Sequence, residues 1–223
     1  MKKIDKNEFL DKSSSALQQM VMNVENLEDI SIESFEPGKS ALVILDMING
    51  FLREGALKSE RIEGTVEPIV KLVKMCGKAN IPIIAFADCH SEAAPEFESY
   101  PAHCIGGTSE AKLIEEIANL GGYRLIPKNS TNGFLEADFQ KWLDDNPEIT
   151  SFIITGDCTD ICVLQFALAL KAYFNGKNIR SRLVVPVNAV ETYDLGEHYG
   201  ELMNIVALQM MKWNGIELAG RLV

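Results

Sequence analysis

Short apolar runs alternate with longer segments of helical spacing along most of the chain. The apolar run over 41–46 is typical of a strand buried on both faces, and further strand-like runs occupy 81–88, 123–128, 151–156, 179–187 and 216–219. Helical spacing of apolar residues covers 64–79, 109–120 (with Ser109 as the expected N-cap), 135–145, 160–175 and 198–213. Strands that alternate with helices are typical of a parallel sheet covered on both faces. We predict a single-domain, three-layer α/β/α fold of the Rossmann type with a six-stranded parallel sheet.

The beginning of the chain has a different pattern. Residues 1–36 are mostly polar, with apolar residues at helical spacing from Phe9 to Leu27, which predicts an N-terminal helical extension over 1–36. The segment "EPGKS" breaks this pattern before the first strand. Since the remaining length suits one large domain, we expect a single domain over 37–223.

Net charge and cysteine content limit the partners and the cellular compartment that we expect for the protein. The net charge of −11 argues against a nucleic acid or an anionic membrane surface as a partner. Five cysteines at irregular spacings are expected to be free thiols in a reducing compartment. The N-terminus lacks the apolar stretch of a signal peptide, and no apolar run approaches the ~20 residues of a membrane-spanning helix. We therefore expect a soluble, cytoplasmic protein.

Several residues whose side chains could take part in catalysis or bind a ligand follow the predicted strands. Asp46 follows the first strand, Asp88 and His90 the second, Lys128 ends the third, and Cys162 comes shortly after the fourth. In parallel sheets, ligands bind beyond the carboxyl ends of the strands. We therefore expect these side chains to meet at one edge of the sheet.

Cys162 lies where a buried strand turns into a helix. Thr159 or Asp160 is expected to cap this helix, and the positive end of the helix dipole favours a thiolate in its first turn. The backbone N–H groups of Cys158 and Cys162 could hold a developing oxyanion. The sequence alone leaves a structural role open, because small buried cysteines are common in protein cores.

A nucleophilic cysteine needs a partner that accepts its proton or stabilises its charge. Asp46 could move the proton, and Lys128 could hold the aspartate and the thiolate in their charged forms. The alternative for each is structural, because a strand-end aspartate often caps a helix and a lysine is usually solvated.

The loop over 87–108 contains two histidines and two carboxylates that could bind a metal: Asp88, His90, Glu96 and His103. Imidazole with carboxylate ligands suits Zn²⁺, Fe²⁺ or Mn²⁺ better than Ca²⁺ or Mg²⁺. The alternative is that the histidines only form hydrogen bonds within the loop.

Three segments, "LVILDMINGF", "PKNSTNGF" and "TGDCTDICV", resemble the motifs of the isochorismatase-like cysteine hydrolases, in the same order along the chain. The resemblance runs from about residue 41 to 219 and implies a catalytic triad of Asp46, Lys128 and Cys162. It also implies a cis peptide at Asp157–Cys158 and an oxyanion hole made by the N–H groups of Cys158 and Cys162. The sequence departs from the family where "MINGF" replaces a common Q-N-D-F pattern.

Within that family, "DCH" followed by "HCIGGT" resembles the nicotinamidase/pyrazinamidase branch. This likeness implies that Asp88, His90 and His103 bind a metal, with Glu96 in the position of the remaining protein ligand. In that branch the metal binds the pyridine nitrogen, and waters complete its shell. Phe51 and Tyr100 would then form the aromatic walls of the substrate pocket.

The resemblance implies a nicotinamidase that hydrolyses nicotinamide, and pyrazinamide, to the acid and ammonia in NAD salvage. It further implies a divalent metal, Zn²⁺ first with Fe²⁺ or Mn²⁺ as alternatives, a small-molecule amide partner and a homo-oligomer. Three other functions stay open. They are a metal-independent amidohydrolase for a carbamoyl or maleamate-type amide, a non-catalytic binding relative, and an isochorismatase.

Overall fold

A parallel β-sheet forms the centre of the protein in a computed structural model that describes residues 4–223. Its strands are β1 (Ser40–Leu45), β2 (Ile83–Asp88), β3 (Tyr123–Lys128), β4 (Ser151–Asp157), β5 (Arg182–Pro186), β6 (Val190–Glu191) and β7 (Glu217–Ala219). The order is β3-β2-β1-β4-β5-β7, and the two-residue β6 pairs with the end of β4. The predicted sheet of six parallel strands is confirmed, with β6 as an addition that the sequence pattern did not reveal.

Helices cover both faces of the sheet. They are α1 (Lys6–Glu25), α2 (Asn49–Leu52), α3 (Val66–Lys78), α4 (Glu115–Ala118), α5 (Ala137–Asp145), α6 (Leu164–Gly176) and α7 (Gly200–Trp213). A π-helical turn, Thr159–Val163, precedes α6 directly. The predicted three-layer α/β/α arrangement is therefore confirmed.

The sheet separates two hydrophobic cores. Along β1, Leu42 and Ile44 point into the core beneath α3, whereas Val43 and Leu45 point into the core beneath α5, α6 and α7. Every residue of β1 is buried. Burial on both faces explains why this strand has a continuous apolar run and no alternation of polar and apolar residues.

The helix predicted over 109–120 is wrong except for the four residues of α4. The rest of this segment pairs its backbone with residues 47–50, and Ser109 accepts a hydrogen bond from the Asn49 side chain instead of capping a helix. The backbone bonds run from Gly50 to Glu110, from Asn49 to Lys112 and from Ile114 to Met47. Contacts with a segment distant in the sequence therefore override the local helical spacing.

α1 lies outside the sheet and packs against α7. Asp5 caps it by accepting hydrogen bonds from the N–H groups of Asn7 and Glu8, and the Asn23 side chain donates to Gln209 of α7. The helix predicted in this region is present, whereas the division into an extension and a domain at residue 37 stays a prediction. Within residues 4–223, no helix combines the length and the apolar character needed to cross a bilayer.

Gly156 allows β1 and β4 to approach closely beside the carboxyl edge of the sheet. Its φ is +112°, and an added Cβ would lie 1.9 Å from the carbonyl oxygen of Leu45. We expect Gly156→Ala to lower the free energy of unfolding by more than about 3 kcal/mol, through strain and overpacking. Urea denaturation measures this loss.

Gly77→Ala is the matched control for that change. Gly77 lies in α3, and a Cβ there would meet no heavy atom within 4 Å. This variant should be neutral or more stable by up to about 1 kcal/mol, since alanine is the better helix former. Equal unfolding free energies for the two variants would contradict the close-approach explanation.

Candidate active site

The carboxyl ends of four neighbouring strands bring buried polar side chains together. Asp46 follows β1, Asp88 ends β2, Lys128 ends β3 and Asp157 ends β4, and all four are at most 2% exposed. The register of the sheet pairs Asp88 directly with Lys128. The predicted convergence at this edge is therefore observed for the residues of the strand ends.

Lys128 occupies the centre of this group. Its Nζ lies 2.9 Å from Asp46 Oδ2 and 3.6 Å from Cys162 Sγ, and it donates hydrogen bonds to Asp88 Oδ1 and to the carbonyl of Ser130. Burial lowers the pKa of Lys128, but the two aspartates outweigh it and raise this pKa well above its usual range. The lysine is therefore an ammonium, which the carboxylates stabilise in a buried site.

Asp46 is held in a left-handed backbone conformation, with φ of +56°, at the end of β1. Aspartate tolerates this conformation better than most residues. Its Oδ1 accepts the N–H of Asp88 at 3.0 Å, which leaves Oδ2 for Lys128. Burial raises the pKa of Asp46 to about 7, against the opposing effect of the Lys128 ammonium. This carboxyl can therefore accept and release a proton near neutral pH.

Cys162 lies in the π-helical turn that follows β4. The carbonyl of Cys158 accepts hydrogen bonds from the N–H groups of Ile161 and Val163, both at 3.1 Å. It accepts none from the N–H group of Cys162, which lies between them in the sequence. The peptide bond Asp157–Cys158 is cis, as the family resemblance implied. The turn therefore leaves the Cys162 N–H without a bond to the carbonyl at the start of the helix, and π turns often mark functional sites.

The expected capping of this helix is wrong. No side chain caps it, because Asp160 accepts hydrogen bonds from Thr192 and His198 instead. The hydroxyl of Thr159 is buried and has no partner among the described residues. The partners of Asp160 come from a segment more than thirty positions away, which local sequence does not show.

The Cys162 thiol is 5% exposed. Burial raises its pKa well above the usual range, and the nearby Lys128 ammonium opposes this effect only in part. The ammonium therefore offsets only part of the energetic cost that burial imposes on a Cys162 thiolate. Attack by this thiol requires an acceptor for its proton.

The sequence pointed to Asp157 only as one half of a cis peptide, with no role for its side chain. It is fully buried, and neither carboxyl oxygen has a hydrogen-bond partner within residues 4–223. Burial raises its pKa well above the usual range, with a further rise from the charge of Asp46. The buried environment therefore favours the neutral form of this side chain.

Asp88, His90, Glu96 and His103 form one compact group whose ligand atoms all lie within 4.8 Å of one another. His90 Nε2 lies 3.6 Å from Asp88 Oδ1 and 3.7 Å from Glu96 Oε1, and His103 Nε2 lies 3.8 Å from Asp88 Oδ2. All four residues predicted from the loop therefore meet at one point.

The orientation of the two histidines fits a metal ion. His90 Nδ1 lies 3.2 Å from Asn129 Oδ1, and His103 Nδ1 lies 2.8 Å from the carbonyl oxygen of Pro101. Since these oxygens accept hydrogen bonds, each Nδ1 carries the proton and each Nε2 lone pair faces the group. His90 Nε2 is buried with no hydrogen-bond partner in the described chain. This group can hold a divalent cation with a preference for nitrogen and oxygen ligands.

One pocket connects the cysteine with the candidate metal group. Its lining includes Cys162, Asp88 and His103, together with the predicted aromatic residues Phe51 and Tyr100. The Phe51 ring lies 5.8 Å from that of His103, and the Tyr100 ring lies 6.3 Å from it.

Sequence reasoning missed several other residues that line the pocket, among them Thr131, Tyr193 and Leu195. Tyr193 and Leu195 follow β6, which pairs with the end of β4. Their position shortly after the end of a strand could have identified these two residues from the sequence. β6 has only two residues, too few to produce a recognisable apolar run.

Sequence comparison identifies relatives of this chain. The family model described as "Isochorismatase domain" matches residues 40–213. Nicotinamidase 1 of Arabidopsis thaliana is 32% identical over 210 residues, covering 81% of this chain and 85% of that protein.

Two solved structures share the fold. The nicotinamidase of Bacillus subtilis has a TM-score of 0.65 and 26% identity, covering 81% of this chain and 99% of that one. The pyrazinamidase of Pyrococcus horikoshii, solved in complex with zinc, has a TM-score of 0.65 and 22% identity over 81% and 98% of the two chains. Because the family model spans most of the sequence, the chain belongs to the isochorismatase-like hydrolase family.

Proposed function

We propose that the protein is a nicotinamidase, which hydrolyses nicotinamide, and pyrazinamide, to the acid and ammonia. The observation that carries this proposal is one pocket lined by both a buried cysteine and a histidine–carboxylate group. Relatives named as nicotinamidases support the same substrate class. A cysteine amidase that needs no cation would not require two buried histidines whose Nε2 atoms both face the Asp88 carboxylate.

Asp46, Lys128 and Cys162 carry the covalent chemistry in this proposal. Asp46 takes the thiol proton as Sγ attacks the amide carbon. The Lys128 ammonium, which lies beside both groups, stabilises the negative charge that they carry. The N–H groups of Cys158 and Cys162 hold the oxyanion of the tetrahedral intermediate.

Collapse of that intermediate completes the first half of the reaction. Asp46 returns the proton to the departing nitrogen, so that ammonia leaves and a thioester remains on Cys162. Water then attacks the thioester carbon and gives a proton to Asp46. The C–S bond breaks, the carboxylic acid leaves, and Asp46 returns the proton to Cys162 Sγ. The acid–base role of Asp46 agrees with its pKa of about 7.

Asp88, His90, Glu96 and His103 would hold the divalent cation, with Zn²⁺ as the first candidate and Fe²⁺ or Mn²⁺ as alternatives. When bound, the cation supplies a Lewis-acidic partner for the ring nitrogen of a pyridine-type amide. Phe51 and Tyr100 contact the faces of the aromatic ring and orient its amide group toward Cys162.

Ammonia release from nicotinamide before and after chelation tests the proposed function. We expect removal of the metal to lower the rate roughly 100-fold, and Zn²⁺, Fe²⁺ or Mn²⁺ to restore it. Release that is unaffected by the chelator would favour a metal-independent amidohydrolase. Absence of release under both conditions would contradict a nicotinamidase.

Two variants distinguish the loss of a metal ligand from a general effect of removing a negative charge. Glu96→Ala should lower the metal content of the purified protein, because Glu96 Oε1 faces His90 Nε2. Glu98→Ala is the matched control, since Glu98 is exposed in the same 3₁₀ turn, Pro95–Glu98, and lies outside the metal group. Equal metal content in the two variants would contradict this ligand set.

A cytoplasmic location belongs to the same proposal, because all five cysteines are free thiols, as expected in a reducing compartment. The homo-oligomer stays a prediction from the family resemblance.

A further inference from the structure

His198, the third histidine of the chain, belongs to neither the lysine-centred group nor the metal group. Its ring lies face to face with that of Tyr193, with 4.0 Å between centroids and 4° between planes. Its Nδ1 lies 2.9 Å from the carbonyl oxygen of Tyr193, and its Nε2 lies 2.8 Å from Asp160 Oδ2. One side chain therefore fixes both the ring and the backbone of Tyr193 and joins them to the turn that carries Cys162.

The segment around Tyr193 is held from both sides. Asp160 also accepts a hydrogen bond from the hydroxyl of Thr192, which is fully buried. From the outside, Arg61 donates to the carbonyl of Thr192 and forms an ion pair with Asp194 at 3.2 Å. These contacts leave the Tyr193 ring little freedom to rotate away from its position on His198.

The fixed ring faces the proposed substrate site. Tyr193 lines the same pocket as Cys162, Phe51 and Tyr100, and it is half-buried. An aromatic wall that is already in place binds a planar ring with less loss of side-chain entropy than a mobile one. Its stacking partner, His198, is absent from the pocket lining and can act only through Tyr193 and Asp160.

We propose that Tyr193 is a specificity-determining wall for planar aromatic amides and that His198 is a positioning residue for this wall. This inference rests on the proposed function, because it assigns Tyr193 to the ring of the same amide substrate. It adds a third aromatic side chain to the two that the family resemblance implies.

Steady-state kinetics with nicotinamide on the metal-loaded protein tests the role of Tyr193. We expect Tyr193→Ala to raise KM about tenfold while kcat changes by less than about threefold, as for the loss of one aromatic contact. Tyr193→Phe, which retains the ring, should recover most of the lost affinity. A purely structural role would lower the active fraction, and hence the apparent kcat, without changing KM.

Tyr199→Ala is the matched control for this experiment. Tyr199 lies on the same loop, is 54% exposed and does not line the pocket. Its replacement should leave KM unchanged. An equal rise of KM in Tyr199→Ala and Tyr193→Ala would overturn the inference, since the effect would then be a general one of the loop.

A double-mutant cycle tests whether His198 acts through Tyr193. His198→Asn alone should raise KM severalfold, and the double variant with Tyr193→Ala should resemble Tyr193→Ala alone. Single effects that multiply in the double variant would overturn the positioning role.

The wild-type protein separates failure of this inference from failure of the proposed function. If it releases ammonia from nicotinamide and Tyr193→Ala leaves KM unchanged, only the role assigned to Tyr193 is wrong. If it hydrolyses no aromatic amide under any metal condition, the proposed function and the wall are both wrong.

Discussion

Replacement of Cys162 by alanine is expected to lower kcat for nicotinamide by roughly 10⁴-fold or more, since it removes the atom that forms the thioester. Nicotinamide should still bind, because Phe51, Tyr100 and the candidate metal group remain in the pocket. Ammonia release measures the loss of turnover, and calorimetry measures the remaining affinity. In the wild-type protein, acid quenching during turnover should trap a nicotinoyl group on Cys162, detectable by mass spectrometry of peptides.

Cys76→Ala is the control for this change. Cys76 is also a buried cysteine, but it lies on α3, away from the pocket lining. It should lose some stability and keep its turnover. Substantial turnover in Cys162→Ala, or a nicotinoyl group on a different cysteine, would rule out the proposed covalent route.

Lys128→Met is expected to have the second largest effect, on stability and on rate together. Removal of the ammonium leaves Asp46 and Asp88 buried without their shared positive partner. Loss of one member of a buried ion pair typically lowers the free energy of unfolding by about 3–5 kcal/mol. We also expect kcat, corrected for the folded fraction, to fall on the order of 10³-fold, since no positive charge would stabilise the thiolate.

Lys141→Met is the matched control, because Lys141 forms an exposed pair with Asp145 on the surface of α5. Such pairs contribute less than about 1 kcal/mol, so urea denaturation should detect little change. If Lys128→Met were as stable and active as Lys141→Met, the central role of Lys128 would be untenable.

Much of this fold and site follows from local sequence. Strands buried on both faces have continuous apolar runs, so β1, β2 and β4 were recognisable without structural information. Because the ends of parallel strands meet at one edge, the positions of Asp46 and Lys128 in the sequence predicted their proximity. Their catalytic roles stay a proposal that the variants above test.

The features that sequence reasoning missed depend on contacts between distant segments. The segment 109–120 has helical spacing, but its backbone pairs with residues 47–50. Asp160 was expected to cap a helix, but His198 and Thr192 take both of its oxygens. A local pattern shows which structures a segment can adopt, whereas the distant partner decides among them.

The Asp88 carboxylate contacts both Lys128 and the two histidines. The charges of the lysine-centred group and of the candidate metal group must therefore be added together. When Asp46 is ionised, the carboxylates of Asp46, Asp88 and Glu96 and the Lys128 ammonium leave two uncompensated negative charges. A single divalent cation neutralises them, whereas a monovalent ion leaves an excess negative charge and a trivalent ion an excess positive one. Because uncompensated charge is costly in a buried site, the loaded protein should also resist unfolding better than the metal-free protein. We therefore expect the carboxylates and the lysine together to favour a divalent ion, in addition to the preference of the four candidate ligands.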